Sequence, residues 1–461
     1  MHTTTDKLLH HKIPSLLFQL AIPMIFAQLV NVLYNIVDRL YISYIPDIGT
    51  AALTGVGVTF PIIMLISAFS ALIGSGGAPL ASIRLGAKQE EEAQKILGCC
   101  FFSLTITAIV LTILFYLFRT PILVAFGASQ ATLPYANQFL SIYLIGTIFV
   151  QYTLGLNTFI NAQGFTKIGM TTVAIGAIIN IILDPIFIFV FHMGVQGAAL
   201  ATVISQGISA LWILKFLTGD VTHLRIQRKY IKFQKHITFL VLSLGISPFI
   251  MNSTDSLVSI VFNTQLKATG GDVYVGAMVV ISSVMQIILL PLAGLNNGVQ
   301  PIISYNYGAK QYQRVKEAIA CSFITNMIFT TVMCLVCIFL PFVFYNFFTP
   351  DPELRSVLHT VMPLYFFGIF MFGAQSSLQN AFLSLGQAKI SLILALLRKV
   401  ILLIPLIYIL PTITNSGING IFSAEGVADI LAGSATTITF FFTGRKLLRH
   451  KDECSSLKNA E

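Results

Sequence analysis

Asn180 and Asp184 fall in Asn180-Ile-Ile-Leu-Asp-Pro-Ile-Phe-Ile-Phe189, a run otherwise as apolar as a lipid tail. Four residues apart on a helix, the amide and the carboxylate point from one face and can act as a pair. Pro185 has no N–H for the carbonyl of Ile181, and its ring crowds that turn. The helix is therefore predicted to kink beside the acid and free a carbonyl oxygen. Such oxygens suit a hard cation such as Na⁺, or a proton on the acid itself. Ionisable groups inside apolar spans are costly and mark functional sites by default. In this chain they are Asp38, Asp184, Asp255, Glu425 and Asp429, with the bases Arg39, Arg398 and Lys399.

Depth sorts these groups. Asp184 follows Lys167 at a distance but precedes His192 by only eight residues, about 12 Å along a helix. Asp38 lies nine residues before Asp47, at a similar height, and Thr202 is six residues into the span that opens at Gln196. Carboxylates, an amide and a hydroxyl on three helices of the first half thus share one layer. Asp38 reads equally as an ion pair with Arg39 at the end of its span. Glu425 and Asp429, again four residues apart, can pair with Arg398 or Lys399, or those bases can snorkel toward the nearer interface. Asp255, in Asn252-Ser-Thr-Asp-Ser256, faces either a wet cavity or a structural partner. Asn157 reads as helix–helix glue. The Cys334/Cys337 pair lies in an apolar run without a second pair and reads as packing.

The elements that position these residues are membrane spans. Of 461 residues, 56% are hydrophobic and 10% charged, against about 25% charged in soluble domains. Mean hydropathy is +0.84. Twelve apolar spans are expected, at about 13–45, 51–82, 96–118, 132–160, 168–191, 196–218, 237–266, 273–303, 318–346, 357–385, 390–410 and 418–443. The loops on one side hold 21 lysines and arginines; the other side has Arg119, Lys267 and Arg355. This asymmetry places both termini in the cytoplasm. It also explains the net charge of +9 without a nucleic-acid partner. No cleavable signal peptide is expected, because the first apolar segment outruns an h-region.

The halves repeat. A shift of 222 residues lays Arg84-Leu-Gly-Ala-Lys-Gln89 over Asn306-Tyr-Gly-Ala-Lys-Gln311, Gly164 over Gly386 and Lys167 over Lys389. Six spans separate each residue from its mate, so the repeats are parallel, an arrangement of transporters. The fold class is all-α integral membrane protein, with twelve helices in two pseudo-symmetric six-helix lobes. The expected divisions are 1–218, a basic linker at 219–236, 237–443 and a cytoplasmic tail at 444–461. The linker either lies on the anionic inner leaflet or is a plain solvated loop.

The order of Ile36-Val-Asp-Arg39, Leu85-Gly-Ala-Lys88, Asn180-Ile-Ile-Leu-Asp-Pro185, Gly194-Val-Gln-Gly197 and Gly417-Ile-Asn-Gly420 resembles the multidrug and toxic compound extrusion (MATE) family over essentially the whole chain. The resemblance implies a cell-membrane antiporter, working as a monomer in the bilayer. It would export bulky cationic or amphipathic drugs in exchange for H⁺ or Na⁺, with no other cofactor. The family's acidic and polar cluster falls on Asp38, Asn157, Asn180, Asp184 and Thr202, with Asn157 contributed by the resemblance alone. Protonation or Na⁺ binding at Asp184 and Asp38 would bend the helix near Pro185 and favour outward release. Two departures stand out. Ser43 replaces a usual glycine, and Asp255 is out of register by about one residue with a seventh-helix acid used in some branches. A secondary site at Asp255, Glu425 and Asp429 therefore stays open.

Other classes fit less well. A flippase of lipid-linked precursors would need a basic cavity for an anionic ligand, whereas the intramembrane acids outnumber the bases five to three. The charged Asp-Arg-x-Gly-Arg loop of major-facilitator transporters is absent. An intramembrane enzyme would need a nucleophile–base set or metal ligands, and the sequence has neither HExxH nor GxSxG.

Overall fold

The computed structural model describes residues 4–444 and 446–448, and all regular structure among them is helical. A short α1 (Thr4–His10) precedes α2 (Ile13–Ser43), α3 (Gly49–Gly86), α4 (Glu90–Ala125), α5 (Leu133–Ile145), α6 (Thr147–Ala162), α7 (Thr166–Pro185) and α8 (Gly194–Thr218). The second half repeats the series as α9 (Lys235–Gly270), α10 (Asp272–Gly308), α11 (Tyr312–Phe339), α12 (Phe342–Phe348), α13 (Pro352–Phe366), α14 (Ile369–Ser384), α15 (Ala388–Leu396), α16 (Ile404–Ile413) and α17 (Ile418–Thr439). Among the described residues ten helices are long and apolar enough to cross a membrane, and two bent pairs bring the number to twelve. The chain is a multi-pass membrane protein. The expected tail at 444–461 lies almost wholly outside the described residues.

The bent pairs are repeat mates that the sequence reads as unbroken spans. α5 and α6 meet at 58°, α13 and α14 at 43°. Gly146 and Gly368, one repeat apart, stand at the two breaks, and both face the last helix of their half. A Cβ on Gly146 would lie 2.6 Å from the Val203 side chain on α8; one on Gly368 would meet the Gly426 backbone on α17. Close packing against the neighbouring helix thus fixes each bend where glycine leaves room.

Turn conformation repeats as well. Left-handed φ recurs at Lys88 and Lys310, Gly164 and Gly386, His192 and Asn415, and Gly194 and Gly417. Each is 222 or 223 residues from its mate. After α3, the N–H of Gln89 returns to the Arg84 carbonyl at 2.9 Å, and after α10 that of Gln311 returns to Asn306 at the same distance.

The fifth span of each half also departs from regular α-helix. α7 gives way after Pro185 to a π-helical turn, Ile186–Val190, and α15 to a longer one, Leu397–Leu403. Such wide turns are rare and concentrate at functional positions.

Contacts divide the chain into two compact units, one built on Ile22–Phe249 and the other on Leu8–Ala21 with the chain from Ile250. α2 and α9 are each shared between units, and each changes unit within two residues of a proline, Pro23 or Pro248. In the first unit part of the linker is docked on the protein, while Arg228, Lys229 and Lys232 stay exposed. Leu224 and Tyr230 are buried, and Gly98 leaves room for the Tyr230 backbone. The Gln163 side-chain oxygen accepts from the Thr222 hydroxyl (2.6 Å) and the Leu224 N–H (3.0 Å). In the second unit Arg314 and Asn306 donate to the carbonyl of Leu8, fastening the segment before α2 in the same manner.

Candidate functional site

α2, α7 and α8 bring four side chains together in the first unit. Asn180 and Asp184 are buried on one face of α7, and the Asn180 amide donates to Asp184 Oδ1 at 3.2 Å. The same amide lies 3.5 Å from the Thr202 hydroxyl oxygen, and that hydroxyl donates to the Ala198 carbonyl at 3.0 Å. From α2 the Asp38 carboxyl comes within hydrogen-bonding reach of Asp184. Asp38 Oδ1, Asp184 Oδ2 and Asn180 Oδ1 are all buried without a donor.

Local backbone explains the convergence. Pro185 removes the N–H that would close on Ile181, and α7 unwinds into its π turn one residue later. In place of the expected kink, the span runs on to Val190 with a widened turn after Pro185. Gly197 then lets α8 press against that turn, because a Cβ there would lie 2.7 Å from the Phe187 carbonyl carbon. Thr202 follows Gly197 by five residues, so this close approach sets its height beside Asn180.

Two neighbouring carboxyls and three acceptor oxygens without donors call for a positive charge between them. Like charges in a poorly solvated site disfavour double ionisation, and buried acceptors left unmatched are costly. Among the described residues no lysine or arginine forms an ion pair with Asp184, and no three His, Cys, Asp or Glu side chains gather as for a transition metal. The donor set is oxygen throughout. It fits a proton shared by the carboxyls, or a hard monovalent cation held by carboxylate, amide and hydroxyl oxygens.

Asp38 turns to Asp184, while the Arg39 guanidinium lies over the Phe60 ring, 5.0 Å from its centre. Asn157 is not gathered into the layer. Its amide donates to the Gly169 carbonyl at 3.3 Å, eleven residues or roughly 16 Å along α7 from Asn180. Tyr34 was missed by sequence reasoning. It sits one turn before Asp38, within electrostatic reach of both carboxyls, and Tyr143 lies within reach of Tyr34. The Tyr34/Asp38 spacing of four, the same as Asn180/Asp184, is the signal that could have found it.

The second unit gathers its charges differently. Glu425 and Asp429 on α17 are buried and both taken by Arg398, at 2.6 and 2.7 Å. The guanidinium also stacks on Phe372. Lys399 donates to the Met251 carbonyl at 3.2 Å and to the Asp255 carboxylate. Arg398 and Lys399 are thus buried and paired, and the snorkelling alternative falls. The partners were near enough in sequence pattern to name, but which acid takes which base depends on the π turn at Leu397–Leu403. Cys334 points at the Phe366 and Phe367 carbonyls, a packing role as read from the sequence.

Against this geometry, a family model described as MatE matches residues 23–186 and 248–409, one block in each repeat. The chain belongs to the MatE family. "Multidrug export protein MepA" of Staphylococcus haemolyticus (strain JCSC1435) is 26% identical to this MatE chain over 420 residues, 91% of this chain and 90% of the relative. A solved structure described as "protein A" is 32% identical with a TM-score of 0.87, covering 97% of this chain and 99% of its own. Another, "MATE in the bent conformation", has a TM-score of 0.88 at 22% identity, covering 99% and 100%; at that identity it speaks for the MatE fold alone. Two matched blocks and full-length coverage agree with the twelve-span, two-repeat architecture.

Proposed function

We propose that this MatE protein is a secondary multidrug exporter, moving bulky cationic or amphipathic compounds outward in exchange for H⁺ or Na⁺. The observation that carries the coupling is the meeting of Asp38 and Asp184 beside Asn180, with three buried acceptor oxygens and no donor among them. The export reading is supported by membership of the family and by relatives named as multidrug export proteins.

The protein sits in the cell membrane with both termini cytoplasmic, as the loop-charge asymmetry suggests. It works as a monomer through two lobes. Between cations, the Asp38/Asp184 pair carries uncompensated negative charge and the inward-open, drug-binding state is tolerated. A cation entering from outside neutralises the pair, alters the turn after Pro185 and favours drug release. A ligand shifts such an equilibrium only by its different affinity for the two states, and the pair supplies that difference. The flippase reading gains nothing from the second unit, because Arg398 and Lys399 are already matched by acids.

Ethidium accumulation by everted vesicles carrying the protein tests the reading. Energised vesicles should take up dye, and collapse of the ion gradient should release it; uptake no faster than in vesicles without the protein contradicts it.

A further inference from the structure

Arg398 and Lys399 are chain neighbours that serve two different helices. The π turn at Leu397–Leu403 aims one base at α17 and the other at α9. On α17 the partners are Glu425 and Asp429, four residues apart on one face; on α9 they are the backbone carbonyl of Met251 and the Asp255 carboxylate.

The two bases are held very differently. Arg398 binds both α17 acids through its rigid fork and stacks on Phe372, an anchored arrangement. Lys399 is a point charge on a flexible stem, and Glu425 and Asp429 are within its electrostatic reach as well. Its partner is the accessible one: the Asp255 side chain is 65% exposed, against 9% for Lys399. An acid in mid-span survives exposed only against water or a counter-charge. Three carboxylates face two bases, so the cluster has one negative charge in excess, and Glu425 and Asp429 share a single anchored cation.

We infer that Asp255 is a recognition point for organic cations and that Lys399 is its resident, exchangeable counter-ion. An arriving organic cation takes the Asp255 carboxylate. The displaced ammonium turns inward to Glu425 and Asp429, where one guanidinium has been serving two acids. Every carboxylate then has a cation of its own and no charge is stranded. An uncharged amphiphile has nothing to exchange, so the pair favours cations over neutral compounds of similar size. No bond or proton is transferred. The inference rests on the drug-export reading and adds a selectivity element within the second unit.

The test uses purified full-length protein in detergent, with ethidium as the cationic probe and Nile red as the uncharged one. Lys399→Gln removes the competitor and should tighten ethidium roughly tenfold, the scale of one charge-assisted contact, leaving Nile red unchanged. Asp255→Asn should weaken ethidium selectively and abolish the effect of Lys399→Gln in the double variant. Unchanged or weaker ethidium binding by Lys399→Gln, or the same tightening in the Asp255→Asn background, overturns the exchange. If Lys399→Gln does not purify as a single folded species, Asp255→Asn decides alone. Selective loss of ethidium supports the assignment, and an unaltered ethidium-to-Nile-red ratio overturns it. Wild-type protein that neither binds nor transports ethidium removes the export reading and this one with it. Wild-type transport with unresponsive variants removes the exchange alone.

Discussion

The carboxyls of Asp38 and Asp184 reach each other from α2 and α7, and on each an oxygen, Asp38 Oδ1 and Asp184 Oδ2, is buried without a donor. Two acids arranged this way are matched only when a proton or cation joins them. The site is local to one unit, and in the proposed scheme its occupancy acts on the turn after Pro185 as well as on α2 and α8, which supply Asp38 and Thr202.

Thr202 tests the neutral side of the same site. Its oxygen lies 3.5 Å from the Asn180 amide and its hydroxyl is turned to Ala198. Thr202→Val keeps the shape and removes one oxygen. If Na⁺ is the coupling ion, its half-saturating concentration should rise several-fold, on the scale of one lost ligand at about 1 kcal/mol. Proton-driven transport should be nearly indifferent. Dye uptake titrated against Na⁺ reads the difference.

Gly197 is where α8 meets the π turn, with a would-be Cβ 2.7 Å from the Phe187 carbonyl carbon. Gly197→Val should separate the two elements, costing about 1–3 kcal/mol as other overpacked contacts do. A lowered midpoint in a detergent melting assay, together with weakened coupling, is the expected result.

Among the described residues Arg398 is the sole base paired with Glu425 and Asp429, and both acids are buried. Arg398→Met would strand two charges and should destabilise the protein by about 3–5 kcal/mol, the cost of breaking a buried pair from one side. The triple change that also makes Glu425→Gln and Asp429→Asn should recover much of that loss. Melting curves of the two variants separate stranded charge from simple loss of packing.

Gln163 holds the linker through Thr222 and Leu224. Gln163→Ala should loosen residues 222–234, so limited trypsin digestion should cut there at Arg225, Arg228, Lys229 or Lys232 several times faster than in wild type, by weakening two bonds of about 1 kcal/mol each. An unchanged digestion pattern would show that Leu224 and Tyr230 hold the segment without it.

The spans, the repeat and the layer of Asp38, Asn180, Asp184 and Thr202 were legible because hydropathy, loop charge and helical spacing all act locally along the chain. Asn157, contributed by the family resemblance alone, stands apart from that layer. It lies on a neighbouring helix, yet its depth sends it to Gly169 instead. The bends at Gly146 and Gly368 were hidden, since a lone glycine in an apolar span does not announce which neighbour presses on it. The partition of Arg398 and Lys399 between α17 and α9 was hidden for a related reason. Regular helical spacing places adjacent side chains about 100° apart, and the π turn that redirects them has no spacing rule in the sequence.

In the proposed scheme Asp184 converts an ion gradient into drug export. Ethidium uptake into proteoliposomes, with a pH gradient and a Na⁺ gradient imposed separately on wild type and Asp184→Asn, tests it most directly. Wild type should accumulate dye under one of the two gradients. Asp184→Asn should bind ethidium with wild-type affinity and accumulate it under neither. Gradient-driven accumulation by Asp184→Asn at the wild-type rate would show that Asp184 does not couple the gradient to export.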